Sequence, residues 1–222
     1  YFQGEVQTDI RLLRAEKNRF GPMNEVGIFQ MSEKGLNSVS DPSQVLIQNR
    51  QSQAPGTAIF PAMNGMRPLL TEIQALVSES PFAGNPRRIA IGFDTYRLSM
   101  LISIIEKKLK LPFYKSDVFL NVTGGMVIRE PAADLAVCQA LVSSCKNIVP
   151  RPNSVLLGEV GLTGEIRPVS FLETRLKEAM RQGFSTACLP AAQSAQGQLP
   201  NYRDLSVISI GNIHDLLEFL KK

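Results

Sequence analysis

Cysteine and histidine are scarce in this 222-residue chain, and that scarcity removes several chemistries. Cys138, Cys145 and Cys188 form no CxxC pair, and their odd number makes neither a disulfide framework nor a zinc site. They fit structural thiols in a reducing compartment. The one histidine, His214, lies in a stretch expected to be an amphipathic helix. A Ser-His-Asp triad or a multi-histidine metal site is therefore excluded within the chain. No run approaches the roughly 20 apolar residues that a membrane span needs, and no secretory leader is visible. No Gly-x-x-x-x-Gly-Lys-Ser/Thr run occurs, so no phosphate-cradling loop is expected and ATP hydrolysis by this chain alone is not.

What remains is an ordinary globular composition, 44% hydrophobic and 20% charged. The net charge is +4, and the basic excess is mild in both halves. Such a balance permits contact with nucleic acid without requiring it. Tyr1-Phe2-Gln3-Gly4 reads as the remnant of a tag-cleavage site, so residues 1–4 are set apart and a longer native protein is expected.

Residues 5–54 and 55–222 read differently. The first stretch alternates strand-like runs, Arg11–Arg14 and Glu25–Met31, with polar turns. It has little core of its own and is expected to be the last strands of another domain. Gln48–Gly56 is polar and suits a hinge. Beyond it, Thr57–Met63 and Met66–Glu79 are expected as strands around Asn64-Gly65. Asp94 should cap a helix running to Lys110, with Leu98, Leu101, Ile102, Ile105 and Leu109 as its apolar stripe. Asp117–Val122 should be a strand. Pro131 opens a nearly all-apolar, hence buried, helix to about Ser144. Ser154–Leu157 is expected as a strand, and Gly158, Gly161 and Gly164 should punctuate a hairpin. A helix should span Leu172–Gln182 and stop at Gly183. A strand at Ser206–Ile210 and a helix capped by Asn212 close the chain. This is an α/β (α+β) pattern without internal repeats.

Lys17-Asn18-Arg19-Phe20-Gly21 is the sharpest motif. In an extended segment Lys17 and Arg19 point the same way and can grip phosphate oxygens together. The pentapeptide resembles the signature that the RadA (Sms) family of bacterial DNA repair proteins carries after its RecA-like ATPase core. Further stretches fit the same family in order: Gly65–Leu70, Glu72–Val77, Asn85–Arg88, Glu130–Ala136, Gly158–Glu165 and Ile166–Val169. The resemblance implies that residues 5–54 end a RecA-like ATPase region and that 55–222 form a Lon protease-like domain, with the ribosomal protein S5 domain 2-like fold. It implies that Lys17, Asn18, Arg19, Phe20 and Gly21 couple nucleotide hydrolysis to DNA. It also implies a parent that migrates branched DNA in recombination, a hexameric ring, DNA and RecA recombinase as partners, and a cytoplasmic setting. ATP, magnesium and zinc are expected in the parent's other regions, and no cofactor or metal in this one.

Lon-type proteases pair a serine nucleophile with a lysine base. The resembling serine stretch here reads Pro131-Ala132-Ala133-Asp134, and Ala132 has no hydroxyl. The resembling lysine stretch reads Arg167-Pro168-Val169-Ser170-Phe171-Leu172, which puts Arg175 in the lysine's place. Arginine does not give up its proton at neutral pH. The expectation is therefore a domain without peptidase activity. Ser143, Ser144, Ser170 and Lys177 are the remaining candidates, with Lys177 expected in an i,i+4 pair with Glu173. Arg87, Arg88 and Arg97 are expected as a basic patch for DNA phosphates. An active Ser-Lys peptidase and an RNA-binding module are the alternatives, the latter on fold analogy alone.

Overall fold

The computed structural model describes residues 2–3, 10–14, 26–32, 35–39, 41–47, 54–81, 86–194, 202 and 204–221. The motif Lys17–Gly21 lies outside them, as does most of the expected hinge. Four short strands, β1 (Phe2–Gln3), β2 (Ile10–Arg14), β3 (Val26–Ser32) and β4 (Gly35–Ser38), pair antiparallel in chain order. β2 and β3 fall where alternation predicted strands.

The next element was not expected. α1 (Pro42–Ile47) follows Asp41, whose carboxylate accepts from the Gln44 N–H at 3.2 Å. Ser43 and Leu46 are buried. The Ser43 hydroxyl donates to Glu178 at 2.5 Å and accepts from the Leu70 N–H at 3.2 Å. This helix lies before the expected boundary at residue 54, yet its contacts are with the second part of the chain.

The main sheet has the order β5-β6-β8-β7: β5 (Thr57–Asn64), β6 (Arg67–Glu79), β7 (Arg88–Ile91) and, after α2 (Thr95–Leu109), β8 (Ser116–Val122). Neighbours are antiparallel except β7 and β8, which run parallel. The β5–β6 turn is made by Gly65 at φ 62, a backbone that glycine adopts freely. β5 is buried along most of its length instead of alternating, because both its faces are covered. α2 begins as predicted, with the Asp94 carboxylate accepting from the Arg97 N–H at 2.7 Å, and its apolar stripe is buried.

Pro131–Ala133 form one tight 3-10 turn, and α3 (Asp134–Lys146) continues from it. All of Asp134–Ser143 is buried, so only the last turn of this helix meets solvent. It packs on β5, β6 and α2. β9 (Ser154–Leu156) leads to a hairpin of β10 (Glu159–Val160) and β11 (Ile166–Arg167). α4 (Leu172–Arg181), β12 (Thr186–Pro190), α5 (Ala191–Ser194), β13 (Ser206–Ile210) and α6 (Ile213–Lys221) complete the chain. β13, β12 and β9 form a parallel sheet with β12 in the middle. The Asn212 side chain accepts from the His214 N–H at 2.8 Å, as its predicted cap role requires. Phe60, Leu69, Leu70, Ile73, Leu101, Leu120, Leu135 and Leu141 sit at the centre of the core. Each such side chain stabilises the fold by about 1.5–3 kcal/mol on burial. Among the described residues, no helix is long and apolar enough to cross a membrane.

Candidate functional site

The two positions singled out for a degenerate dyad are both buried. Ala132 sits in the turn before α3 and is 6% exposed. Its carbonyl accepts from the Gly158 N–H at 2.9 Å, and the Gly158 carbonyl accepts from the Leu135 N–H at 3.0 Å. The segment after β9 is thus laced to the start of α3. The approach is close enough that a Cβ on Gly158 would meet Ile166 Cγ2 at 2.6 Å.

Arg175 enters from the first turn of α4 and is 1% exposed. Its Nε donates to the Ser170 carbonyl at 2.9 Å and its Nη1 to the Pro61 carbonyl at 2.6 Å. Nη1 also reaches Glu130 Oε1 at 3.1 Å, and Nη2 donates to Glu130 Oε2. The guanidinium lies 5.4 Å from the centre of the Phe60 ring. Glu130 closes the network by accepting from the Met63 N–H at 2.8 Å. A planar fork with several donors fits this two-pronged, multi-carbonyl setting, where a lysine would satisfy fewer acceptors. Glu130 is two residues before Ala132, so the same ion pair ties α4 and β5 to the approach of α3. Phe171, just before α4, takes φ 58 and leaves its ring half exposed, a backbone that favours glycine.

A second ion pair lies at the start of α3. Asp134 is fully buried; it accepts from Arg97 Nε at 2.6 Å, from Arg97 Nη2, and from the Val160 N–H at 3.0 Å. Burial lifts the Asp134 carboxyl above the ordinary aspartate range, against the pull of Arg97 and the Val160 N–H. The carboxylate in turn holds the Arg97 guanidinium further up.

The three arginines expected to form a basic patch are therefore occupied. Arg97 serves Asp134. Arg88 donates to the carbonyls of Phe113, at 2.7 Å, and Ser116. Arg87 is half exposed and lies 3.6 Å from Asp117. Arg88 opens β7 whereas Arg97 follows its far end, so the strand length separates them. The structure does not bring them together as one free cationic surface.

Three of the remaining dyad candidates are also engaged, while Ser170 is exposed and contributes only its carbonyl, to Arg175. Ser143 donates to the Ile148 carbonyl at 2.6 Å and accepts from the Gly56 N–H at 2.8 Å. Ser144 accepts from the Val77 N–H at 2.9 Å. Lys177 makes the expected pair with Glu173, at 2.6 Å on an exposed face. Sequence reasoning missed Glu130 as the partner of Arg175 and Asp134 as the partner of Arg97. The pairs are 45 and 37 residues apart, and no local spacing announces either. An acidic residue inside an apolar helix start was the one available signal.

A family model for the Lon protease (S16) C-terminal proteolytic domain matches residues 97–221. The chain belongs to this family. Its mixed α/β architecture agrees with that membership. Nearly the whole chain is also similar to bacterial proteins named DNA repair protein RadA. The one from Bacillus subtilis is 44% identical over 217 residues, covering 98% of this chain and 47% of that protein. The one from Pseudomonas aeruginosa is 44% identical over 221 residues, covering 99% and 48%. A Brucella abortus relative is 44% identical over 217 residues, covering 98% and 46%. The chain spans about half the length of the relatives it matches.

Proposed function

We propose that this chain is the non-proteolytic Lon-type domain of a DNA repair protein that acts in homologous recombination as part of an ATP-driven branch-migration motor. One observation carries the reading: the position of the dyad base holds Arg175, locked against Glu130 and two backbone carbonyls. Ala132 supplies no oxygen nucleophile, and a guanidinium saturated with acceptors takes no proton from one. Similarity over nearly the whole chain to proteins named DNA repair protein RadA supports the repair setting.

In this reading the domain holds a hexameric ring together and offers a surface to branched, single-stranded or double-stranded DNA. Lys17, Asn18, Arg19, Phe20 and Gly21 couple nucleotide hydrolysis to DNA. ATP, magnesium and zinc belong, in this reading, to other regions of the parent protein and not to this chain. RecA recombinase is a further partner, and the setting is the cytoplasm. The family's proteolytic name favours one rival, an active peptidase.

Two assays test the proposal. Casein and a fluorogenic peptide should survive incubation with the purified chain. A cleavage rate abolished by altering any one hydroxyl side chain would overturn the non-proteolytic reading. Labelled forked DNA should bind at low salt and dissociate as salt rises. Absence of binding at low salt, or displacement by RNA more readily than by DNA, would count against the repair role.

A further inference from the structure

β5 lies at one edge of the main sheet, and an edge strand carries a row of main-chain groups without a ladder partner. Which residues carry them follows from the register. The Ala75 N–H donates to the Gly56 carbonyl at 2.7 Å, and Thr57 pairs with Gln74. Bonding alternates along an antiparallel pair, so the even-numbered residues of β5 serve β6 and the odd-numbered ones turn their main-chain groups outward. Pro61 falls at an outward position, where its missing N–H removes no ladder bond. Toward the start of the strand, the Thr57 carbonyl accepts from Gln139 Nε2 at 3.4 Å, and β9 packs alongside. Toward its end, the outward groups include the Pro61 carbonyl and the Met63 N–H.

These two groups are an acceptor and a donor two residues apart. A neighbouring strand would meet them with one N–H and one carbonyl. Here side chains supply both. Arg175 Nη1 donates to the Pro61 carbonyl at 2.6 Å, Glu130 Oε1 accepts from the Met63 N–H at 2.8 Å, and Nη1 reaches Oε1 at 3.1 Å. The run of bonds from Pro61 to Met63 passes through the ion pair as it would pass through the main chain of an added strand. The position is closed as well as occupied. Arg175 is 1% exposed, its Nε is tied to the Ser170 carbonyl, and its guanidinium lies beside the Phe60 ring. An incoming peptide could not take these bonds without stranding a buried charge.

We infer that Arg175 and Glu130 close the edge of β5 against an extended polypeptide, so that the domain takes no peptide there by strand addition. The inference deepens the non-proteolytic reading and rests on it: the docking of a polypeptide is missing, besides the groups that would cut one. Strand addition is the mode concerned because it is built on main-chain bonds, and main-chain groups are what the ion pair covers. The same pair that fills the place of the dyad base thus acts as a side-chain substitute for a neighbouring strand.

Fluorescence anisotropy of the whole chain tests this with two probes. One is a short labelled peptide of alternating threonine and valine; the other is the same peptide with every main-chain nitrogen methylated, which has no N–H to give. Wild type should bind neither. The double variant Glu130→Ala, Arg175→Met should bind the unmodified peptide and hold the methylated one about tenfold less tightly, through loss of the main-chain donor. Hydrogen exchange on wild type gives a reading that needs no substitution. The Met63 amide should exchange within about tenfold of Ala62, whose N–H serves the ladder to β6. Met63 exchanging far faster than Ala62 would show an open edge and overturn the proposal, whether or not the double variant folds. Peptide binding by wild type without cleavage would overturn it too. So would a folded double variant that binds neither peptide, or both alike. In each of these cases the non-proteolytic reading stands. Cleavage of the peptide by wild type would remove that reading and the proposal with it.

Discussion

Removing one member of the Arg175–Glu130 pair should destabilise the fold unequally, depending on which member goes. The Arg175 side chain is 2% exposed and the Glu130 side chain 26%. Glu130→Ala therefore leaves a guanidinium with no route to water. Stranding one half of a buried pair costs about 3–5 kcal/mol, and this variant belongs at the upper end. Arg175→Met leaves a carboxylate that can partly rehydrate and still accepts from the Met63 N–H. It also leaves the Pro61 and Ser170 carbonyls without this donor. Its cost belongs nearer about 3 kcal/mol, discounted for screening at the exposed edge. The double variant Glu130→Ala, Arg175→Met removes both charges and should cost less than the two single changes added together. Urea denaturation midpoints of the three variants give the cycle, provided the m-values stay constant. Strict additivity, or an Arg175 variant costing more than the Glu130 variant, would refute the claim that burial of this charge governs the site. The same geometry makes a statement about catalysis. Ala132→Ser with Arg175→Lys should not create a peptidase while Glu130 is present, since a carboxylate beside an ammonium favours its charged form. Peptide cleavage by that double variant would show that Glu130 does not restrain a lysine there.

Other variants probe other parts of the structure. Asp134→Asn should destabilise by about 2–3 kcal/mol, since Arg97 loses its charge partner but remains a quarter exposed; a melting temperature within error of wild type would contradict this. Gly158→Ala should cost about 1–3 kcal/mol through overpacking against Ile166, and a neutral result in thermal unfolding would show that the hairpin yields. The docking of α1 should depend on pH. Burial opposes ionisation of Asp41, but hydrogen bonds from Gln182, Arg181 and the Gln44 N–H outweigh it and hold the carboxyl below its ordinary value. Burial likewise opposes ionisation of Glu178, and Arg181 and Ser43 outweigh it. Groups depressed in this way stabilise above the ordinary carboxylate range and lose that contribution as pH falls through the lowered values. Amide exchange at Val45–Ile47 should therefore accelerate below about pH 4, and Arg181→Ala should weaken that dependence. Exchange independent of pH after correction for intrinsic rates would show that these two carboxylates do not hold α1 in place.

Local patterns carried a large part of this molecule. A carboxylate cap, a 3.6-residue stripe and cations at the last turn are interactions within one helix, so α2 was legible from residues 94–110 alone. The same holds for the β5–β6 hairpin, where Gly65 supplies the required backbone, and for the helix capped by Asn212. Elements whose stability comes from neighbours were not legible. β12 (Thr186–Pro190) is buried on all five residues. A strand covered on both faces has no alternation to read, and Ala187 and Pro190 carry little strand propensity. α1 has only six residues, too short to persist on its own; Leu46 in the core and the Ser43–Glu178 bond make it a helix.

The candidate site divides in the same way. That Ala132 lacks a hydroxyl and Arg175 is no base follows from covalent chemistry, and so could be read from the chain alone. Which charges face water does not follow from it. Arg87, Arg88 and Arg97 looked like a surface patch because arginine is usually exposed. Only the three-dimensional packing revealed that Asp134 and two carbonyl groups claim Arg97 and Arg88. Charge is a property of a residue, whereas its availability to a ligand depends on which distant segments fold against it.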